Sequence, residues 1–294
     1  MYELIQAGEN SFYMDCPAKV GIYRTGEHEA VVFDSGSDSD AAKKLLKLLD
    51  ARGWSLKAVY NTHFHADHIG GNQLLQSRTG CRIFVPGTDR AYTEFTVLEP
   101  EALYGGFPMK ELRSKFLMAK ASVAETLTPE LLPEGVEMIP LPGHSPDMVG
   151  YRTADDVVYL ADSLVSADTL EKYKIAFLYD VSSYLESLEK VRTMEAACFI
   201  PSHAAPTDSI AGLAALNIEK TLWVAEKIKS LLDRTVTFEN LLARLFTELE
   251  LSMNLQQRML VGSTVKSYLS WLKDAGELEF LFEDNLMLWK RVEP

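Results

Sequence analysis

Six histidines occur in the chain, and five of them stand where side chains could act together. His63, His65 and His68 share one run with Asp67, His63-Phe64-His65-Ala66-Asp67-His68. His144 lies in Leu141-Pro142-Gly143-His144-Ser145, and His203 in Pro201-Ser202-His203-Ala204. Asp162 follows the apolar stretch Tyr159-Leu160-Ala161. Imidazole and carboxylate are good ligands for zinc and other borderline divalent ions, so metal-assisted chemistry is the first expectation. Four such side chains within six residues converge only where the chain turns. Extended backbone would send His63 and His65 to one side. A turn and a new helix would then bring Asp67 and His68 to a second position. Gly70-Gly71 would let the backbone pass close to that centre. His28, in a polar turn, reads as an ordinary loop residue.

These side chains need elements to hold them. Residues 20–25 and 29–34 are short β-rich runs around the turn Gly26-Glu27-His28. The cluster Asp34-Ser35-Gly36-Ser37-Asp38 supplies helix N-caps. Ala42, Leu45, Leu46 and Leu49 then recur at helical spacing until Gly53. Residues 57–61, 81–85, 137–141, 148–153, 157–160 and 197–201 read as strands, and residues 184–194 as a helix. The candidate ligands therefore follow apolar strands and could gather at one sheet edge. Residues 88–128 mix helix formers with Pro100, Gly105-Gly106 and Pro108, and carry Phe95, Tyr104, Phe107 and Phe116. They read either as a functional segment or as a helical insertion packing on the core. After Pro206 the texture changes. A long helix over residues 213–233 precedes two more, marked by Leu242, Leu245, Phe246 and Leu249 and by Val265, Tyr268, Leu269 and Leu272. A hairpin turning at Glu283-Asp284-Asn285 follows. Helices and then a β-hairpin suggest a winged-helix type of domain from about residue 235.

Composition narrows the function. The chain has 294 residues, enough for one large domain or two smaller ones. Its 29 basic and 42 acidic side chains leave a net charge of −13, which disfavours nucleic acid and anionic membranes as partners. Cys16, Cys81 and Cys198 are too few and too scattered for a disulfide scaffold, and they suit a reducing compartment. No run approaches the ~18 apolar residues of a membrane span. The first residues show no basic stretch leading into an apolar run. A soluble, cytoplasmic protein is expected.

At the clustered residues the sequence resembles the metallo-β-lactamase superfamily. Asp34 matches the family's first motif, the run from His63 to His68 the second, and His144, Asp162 and His203 the third, fourth and fifth, in the family's order. The resemblance covers about residues 1–206. It implies an α+β fold, an αβ/βα four-layer sandwich with a metal site at one edge. The expected organisation is a catalytic domain over residues 1–206 and a helical, winged-helix-like domain over residues 207–294. The resemblance also implies two divalent metal ions, zinc first, with Mn²⁺ or Fe²⁺ as alternatives that share these ligand types. His63, His65 and His144 would hold one ion, and Asp67, His68 and His203 the other. Asp162 would bridge them, and Asp34 would orient a ligand. A hydroxide bridging the metals would attack the substrate, with Asp67 orienting it and shuttling its proton.

Two details narrow the branch. His65 replaces the glutamate of flavodiiron-type members, which favours hydrolysis over redox chemistry. Asp162 is the bridging residue, whereas true B1-type β-lactamases place a cysteine ligand in that site. The pattern is similar to glyoxalase II-like, lactonase-like and ribonuclease Z-like members. One departure is Asp147, where the third motif commonly carries glycine. A small acyl substrate, thioester, lactone or ester, is the leading expectation. The 88–128 segment with Tyr173, Phe177 and Tyr179 would supply an apolar pocket. The alternative is a metal-dependent phosphodiesterase or ribonuclease, which the tail keeps open. Yet residues 207–294 carry ten basic and thirteen acidic side chains, a poor phosphate-reading surface. A non-enzymatic sensor or scaffold is the third reading. For the tail itself, a wall of the active-site entrance, a homodimer contact and a simple core extension all stay open.

Overall fold

The structure, a computed structural model, describes residues 2–292, so residues 1, 293 and 294 of the expected domains lie outside it. Seven strands form the first sheet in chain order: β1 (Glu3–Gln6), β2 (Ser11–Asp15), β3 (Val20–Arg24), β4 (Glu29–Phe33), β5 (Ser55–Tyr60), β6 (Arg82–Val85) and β7 (Glu125–Thr126). Pairing is antiparallel from β1 to β4 and parallel from β4 to β7. The helices of this half are α1 (Ser39–Ala51), α2 (Ala66–Ile69), α3 (Asn72–Thr79), α4 (Asp89–Glu94) and α5 (Leu98–Tyr104). The second sheet comprises β8 (Val136–Pro140), β9 (Val149–Thr153), β10 (Val157–Val165) and β11 (Cys198–His203), with β10 and β11 parallel. Helices α6 (Ala167–Tyr173) and α7 (Val181–Arg192) connect β10 to β11.

The inner strands of both sheets are buried on both faces, and the alternation of residues shows why the sheets stack. Along β4, Ala30 and Val32 face one core while Val31 and Phe33 face another. Along β10, Val157 and Tyr159 join Phe33 between the sheets, and Val158 and Leu160 point to the far side. Phe33 stacks on Tyr151 with ring centroids 4.5 Å apart. The outer face of the first sheet is covered by α1 through Ala42, Leu45 and Leu49. Burial of each leucine there contributes about 2 kcal/mol. The outer face of the second sheet is covered by α7 through Leu188 and Val191. The result is helix, sheet, sheet, helix, the layering the resemblance implies.

Three readings of the chain need amendment. Strands β1 and β2 precede the first expected strand; β2 is almost wholly buried. The strand expected to stop at residue 160 continues to Val165 and so contains Asp162. Its pairing with β11 slips on both sides of Ala161, whose φ is 51°, and this irregularity re-aims the residues that follow. The 88–128 segment holds only two short helices, a single turn at Lys110–Leu112 and β7.

Beyond β11 lie α8 (Ala211–Ser230), β12 (Val236–Thr237), α9 (Phe238–Glu248), α10 (Leu255–Asp274), β13 (Leu278–Glu283) and β14 (Leu286–Arg291). The last two form the expected hairpin, and β14 pairs on its other side with β12. Asp284 and Asn285 take φ of 48° and 60° at the turn, as a tight hairpin demands. Helix α8 packs on α7 and β10, and one buried cluster runs from Leu141 to Leu278 across residue 206. No helix among the described residues is long and apolar enough to cross a membrane.

Candidate metal centre

Strands β4 and β5 run parallel, so the loops that leave them emerge at the same edge of the first sheet. Asp34 leaves β4 with φ 67°, in the left-handed region that Asp tolerates better than most residues. His63 and His65 lie in the loop after β5. His65 caps α2, which carries Asp67 and His68. Ser35 N–H donates to the His68 carbonyl at 2.8 Å, tying α2 to the β4 loop. A Cβ on Gly70 would sit 2.3 Å from the Ser37 carbonyl oxygen, and one on Gly71 2.4 Å from that of Ser35. The close approach that these glycines permit is therefore to the β4 loop, one step behind the centre. His144 comes from the loop between β8 and β9, Asp162 from the irregular part of β10, and His203 ends β11.

The structure brings all seven candidate ligands together. Three overlapping groups can each hold an ion: His63, His65 and His144; His63, His68 and Asp162; Asp67, His68 and His203. His65 Nδ1 lies 3.0 Å from His63 Nε2 and 2.9 Å from His144 Nε2. Asp162 reaches His68 Nε2 at 3.2 Å, His203 Nε2 at 3.2 Å and His144 Nε2 at 3.4 Å. Asp67 lies 3.3 Å from His203 Nε2 and 3.8 Å from His68 Nε2. His28, the sixth histidine, sits on an exposed turn away from the centre.

Hydrogen bonds behind the rings decide which nitrogen faces inward. Asp34 accepts the His68 Nδ1 proton at 2.8 Å. It also accepts the Thr62 hydroxyl at 2.8 Å and the Thr62 N–H at 2.7 Å. With its hydroxyl proton committed to Asp34, Thr62 Oγ1 accepts from His63 Nδ1 at 3.0 Å. His144 Nδ1 donates to the Phe177 carbonyl, and His203 Nδ1 to that of Pro17. Four rings therefore present Nε2 to the centre, and His65 presents Nδ1. Asp34 thus hydrogen-bonds the His68 ring, and Thr62 the His63 ring. Nothing in the local sequence singled out Thr62.

The charges fit a cation. Burial drives His63 and His144 below the ordinary histidine value and His65 down to about 3, leaving neutral rings with free lone pairs. Burial opposes charge on His68 and His203 too. There the carboxylates, Asp162 first, outweigh it, raising His68 strongly and His203 to about 10. Burial would also raise Asp67 and Asp162, but the facing imidazoles hold both low, His68 foremost for Asp67 and His203 for Asp162. The carboxylates thus draw positive charge to this point. His68 Nε2 and Asp162 Oδ1 are buried, face each other at 3.2 Å and make no hydrogen bond among the described residues. Two orphaned donor atoms at that spacing suit a shared metal ion. Zinc–ligand bonds of about 2.0–2.1 Å set tetrahedral neighbours roughly 3.3 Å apart.

A cavity of about 430 Å³ opens beside the centre. Phe64, Tyr92, Phe116, Leu117, Phe177 and Tyr179 give it apolar walls, and Asp67, His65, His144 and Asp162 form its floor. The 88–128 segment thus reaches the site, which favours the functional reading of that stretch. Phe177 and Tyr179 line this cavity as expected. Tyr173 instead lines a second one, of about 410 Å³, on the other side of Phe177. Leu260 and Ser263 of α10 complete the first wall, so the tail takes part in the entrance. Asp147, the departure from the third motif, accepts from the Thr88 N–H and hydroxyl and pins the start of the 88–128 segment to the His144 loop. Glu99, on α5, also lines the cavity; as one acid in a helix-forming stretch it carried no sequence signal.

Comparison with known proteins agrees with this architecture. The family model for the metallo-beta-lactamase superfamily matches residues 14–203. The chain is 31% identical to a hydroxyacylglutathione hydrolase of Methylococcus capsulatus over 161 residues, 54% of this chain and 52% of that protein. It is 27% identical to one of Rhodospirillum rubrum over 173 residues, 55% of this chain and 54% of that protein. The matches thus span about half the length of these curated relatives. Among solved structures, a beta-lactamase domain protein from Burkholderia ambifaria superposes with a TM-score of 0.74 at 18% identity, covering 99% of this chain and 94% of that one. A metallo-beta-lactamase family protein from Thermus thermophilus gives 0.72 at 16%, covering 99% and 98%. With its fold, its ordered motifs and a family match over most of its length, the chain belongs to the metallo-beta-lactamase superfamily.

Proposed function

We propose that this protein is a metal-dependent hydrolase of small acyl compounds, with a thioester as the preferred substrate class. The observation that carries this reading is the meeting of three overlapping donor groups with an apolar cavity. In this reading His63, His65 and His144 hold one divalent ion, Asp67, His68 and His203 hold a second, and Asp162 contributes to both. Zinc suits the nitrogen-rich set, and Mn²⁺ or Fe²⁺ would be accepted by the same ligand types. Bound there, such ions supply an activated water and polarise a carbonyl. The chain's own residues do the rest. Asp34 and Thr62 hold the His68 and His63 rings in one tautomer. Asp67 is the most exposed member of the cluster and faces the cavity, where it would orient a water and take its proton. Phe64 and Phe177 keep bulk water from the reacting atoms.

Support for a thioester comes from the hydroxyacylglutathione hydrolases among the relatives. The segment from α8 to β14 follows the helix and strand order of a winged helix. We read residues 207–294 as a winged-helix-like unit that walls the cavity of a catalytic unit formed by residues 1–206. Its acidic balance supports no nucleic-acid role. The unpaired cysteines suit a cytoplasmic setting. The test is to strip the protein with a chelator, reload it with zinc, and assay acyl thioesters, lactones and phosphodiesters side by side. Thioester hydrolysis that returns with zinc and is lost in Asp67→Ala is expected. Phosphodiester cleavage without acyl hydrolysis would overturn the reading.

A further inference from the structure

The first cavity holds a carboxyl group that the chemistry above leaves unused. Glu99 lines the cavity and is only 8% exposed. It has no hydrogen-bond or ion-pair partner among the described residues. The other charged groups of the wall are accounted for: Asp38 pairs with Lys115 at 3.2 Å at the rim, and the remaining ones belong to the metal cluster. The cavity that Glu99 shares has apolar walls from Leu103, Phe116 and Leu117 on the segment it belongs to and from Leu260 on α10, which packs against α5, while Asp67 and His68 of the cluster lie within electrostatic reach of it. Burial first, and the Asp67 carboxylate second, push Glu99 well above the ordinary carboxyl range against the opposing pull of His68, which favours the neutral acid. A neutral carboxyl presents one O–H donor and one carbonyl acceptor side by side. A cavity built this way is incomplete until something satisfies both.

We propose that Glu99 is a specificity-determining residue, hydrogen-bonding an amide or hydroxyl group carried on the otherwise apolar arm of the acyl substrate. This rests on the acyl-hydrolase reading, which it deepens. The partner must donate and accept at once, as an amide or a hydroxyl does and a methyl group does not. A site with a buried polar group discriminates strongly against analogues that leave it unpaired.

The test uses the zinc-loaded full chain. Straight-chain acyl thioesters of graded length are compared with counterparts that end in a primary amide. At the length that reaches Glu99, the amide counterpart should be favoured about tenfold or more in kcat/KM. Glu99→Gln keeps a donor and an acceptor and should keep the preference. Glu99→Leu should reduce it to within about threefold, there being no buried polar group left to satisfy. The second measurement is isothermal titration of alkanamides into the metal-free protein, where Glu99→Leu should weaken binding about tenfold and Glu99→Gln should not. Equal binding by wild type and Glu99→Leu would overturn the proposal. A preference for ammonium-ended arms that Glu99→Gln abolishes would also overturn it, since the carboxyl would then be a counter-ion. Alkanamide binding as expected, with no thioester hydrolysed at all, would support the role of Glu99 and remove the acyl-hydrolase reading.

Discussion

Replacing Asp34 by Asn separates the candidate metal centre from the hydrogen bonds behind its rings. The side chain is buried and its φ is 67°, a conformation that Asn adopts as readily as Asp. The backbone and the volume therefore stay as they are, and only the second acceptor is lost. Asp34 accepts the Thr62 N–H on one oxygen at 2.7 Å, and the Thr62 hydroxyl and His68 Nδ1–H on the other, both at 2.8 Å. An amide offers one acceptor and one donor face. If the carbonyl stays toward His68, the NH₂ meets the Thr62 N–H, donor against donor. If it turns round, the NH₂ meets His68 Nδ1, and the ring proton must move to Nε2, the atom that faces Asp162 and Asp67. Either way one charge-assisted hydrogen bond is lost, about 1.5–3 kcal/mol. At 1.4 kcal/mol per decade this is roughly a 10- to 100-fold loss of zinc affinity, the range found for groups that orient metal ligands. The assay is competition between metal-free protein and a chromophoric chelator, with circular dichroism as the control for folding. A folded Asp34→Asn protein that binds zinc within about twofold of wild type would refute the argument.

Other perturbations have equally definite outcomes. Gly143 has φ 124°, and a Cβ there would lie 2.3 Å from the Tyr184 backbone, so Gly143→Ala should cost at least about 3 kcal/mol in thermal or urea unfolding. Burial raises Asp89 to about 8 from an ordinary 3.8, so between those values the folded chain holds a proton that the unfolded chain has lost. Stability should fall as pH rises through that window, by up to about 1.4 kcal/mol per pH unit, and Asp89→Asn should remove this component from urea midpoints measured between pH 5 and 8. Truncation after residue 206 strips Ala214, Val224, Ala225 and Ile228 from the cluster around α7, and the fragment should aggregate on size exclusion; a monodisperse, active fragment would contradict this.

The seven candidate ligands are legible because metal chemistry restricts residue type, and four of them fall within six residues. Strands with residues alternating between two cores, such as β4 and β10, were legible as apolar runs. Asp162 was found by its residues, but its setting was not, since a slipped strand pairing depends on β11, which lies far along the chain. Glu99, Thr62 and Asp89 escaped notice for a common reason. Each is ordinary in its local sequence and becomes significant only once the fold buries it. Asp147 was noticed as a departure, yet its partner Thr88 is 59 positions away, and periodicity says nothing about such a contact.

The position of α10 bears on how proteins of this kind diverge. Val265, Leu269 and Leu272 seat the helix in the buried cluster that the tail shares with α7 and β10, while Leu260 and Ser263 line the cavity beside the candidate metal centre. The groups that would perform the reaction all precede residue 206, while part of the wall that would choose the reactant is encoded in a separate stretch of the gene, alongside the part that Tyr92, Glu99 and Phe177 supply. Drift in the tail that merely resettles α10 would change which molecules are admitted without touching a single ligand. Relatives with the same seven clustered side chains and different tails should accordingly share a reaction and differ in diet.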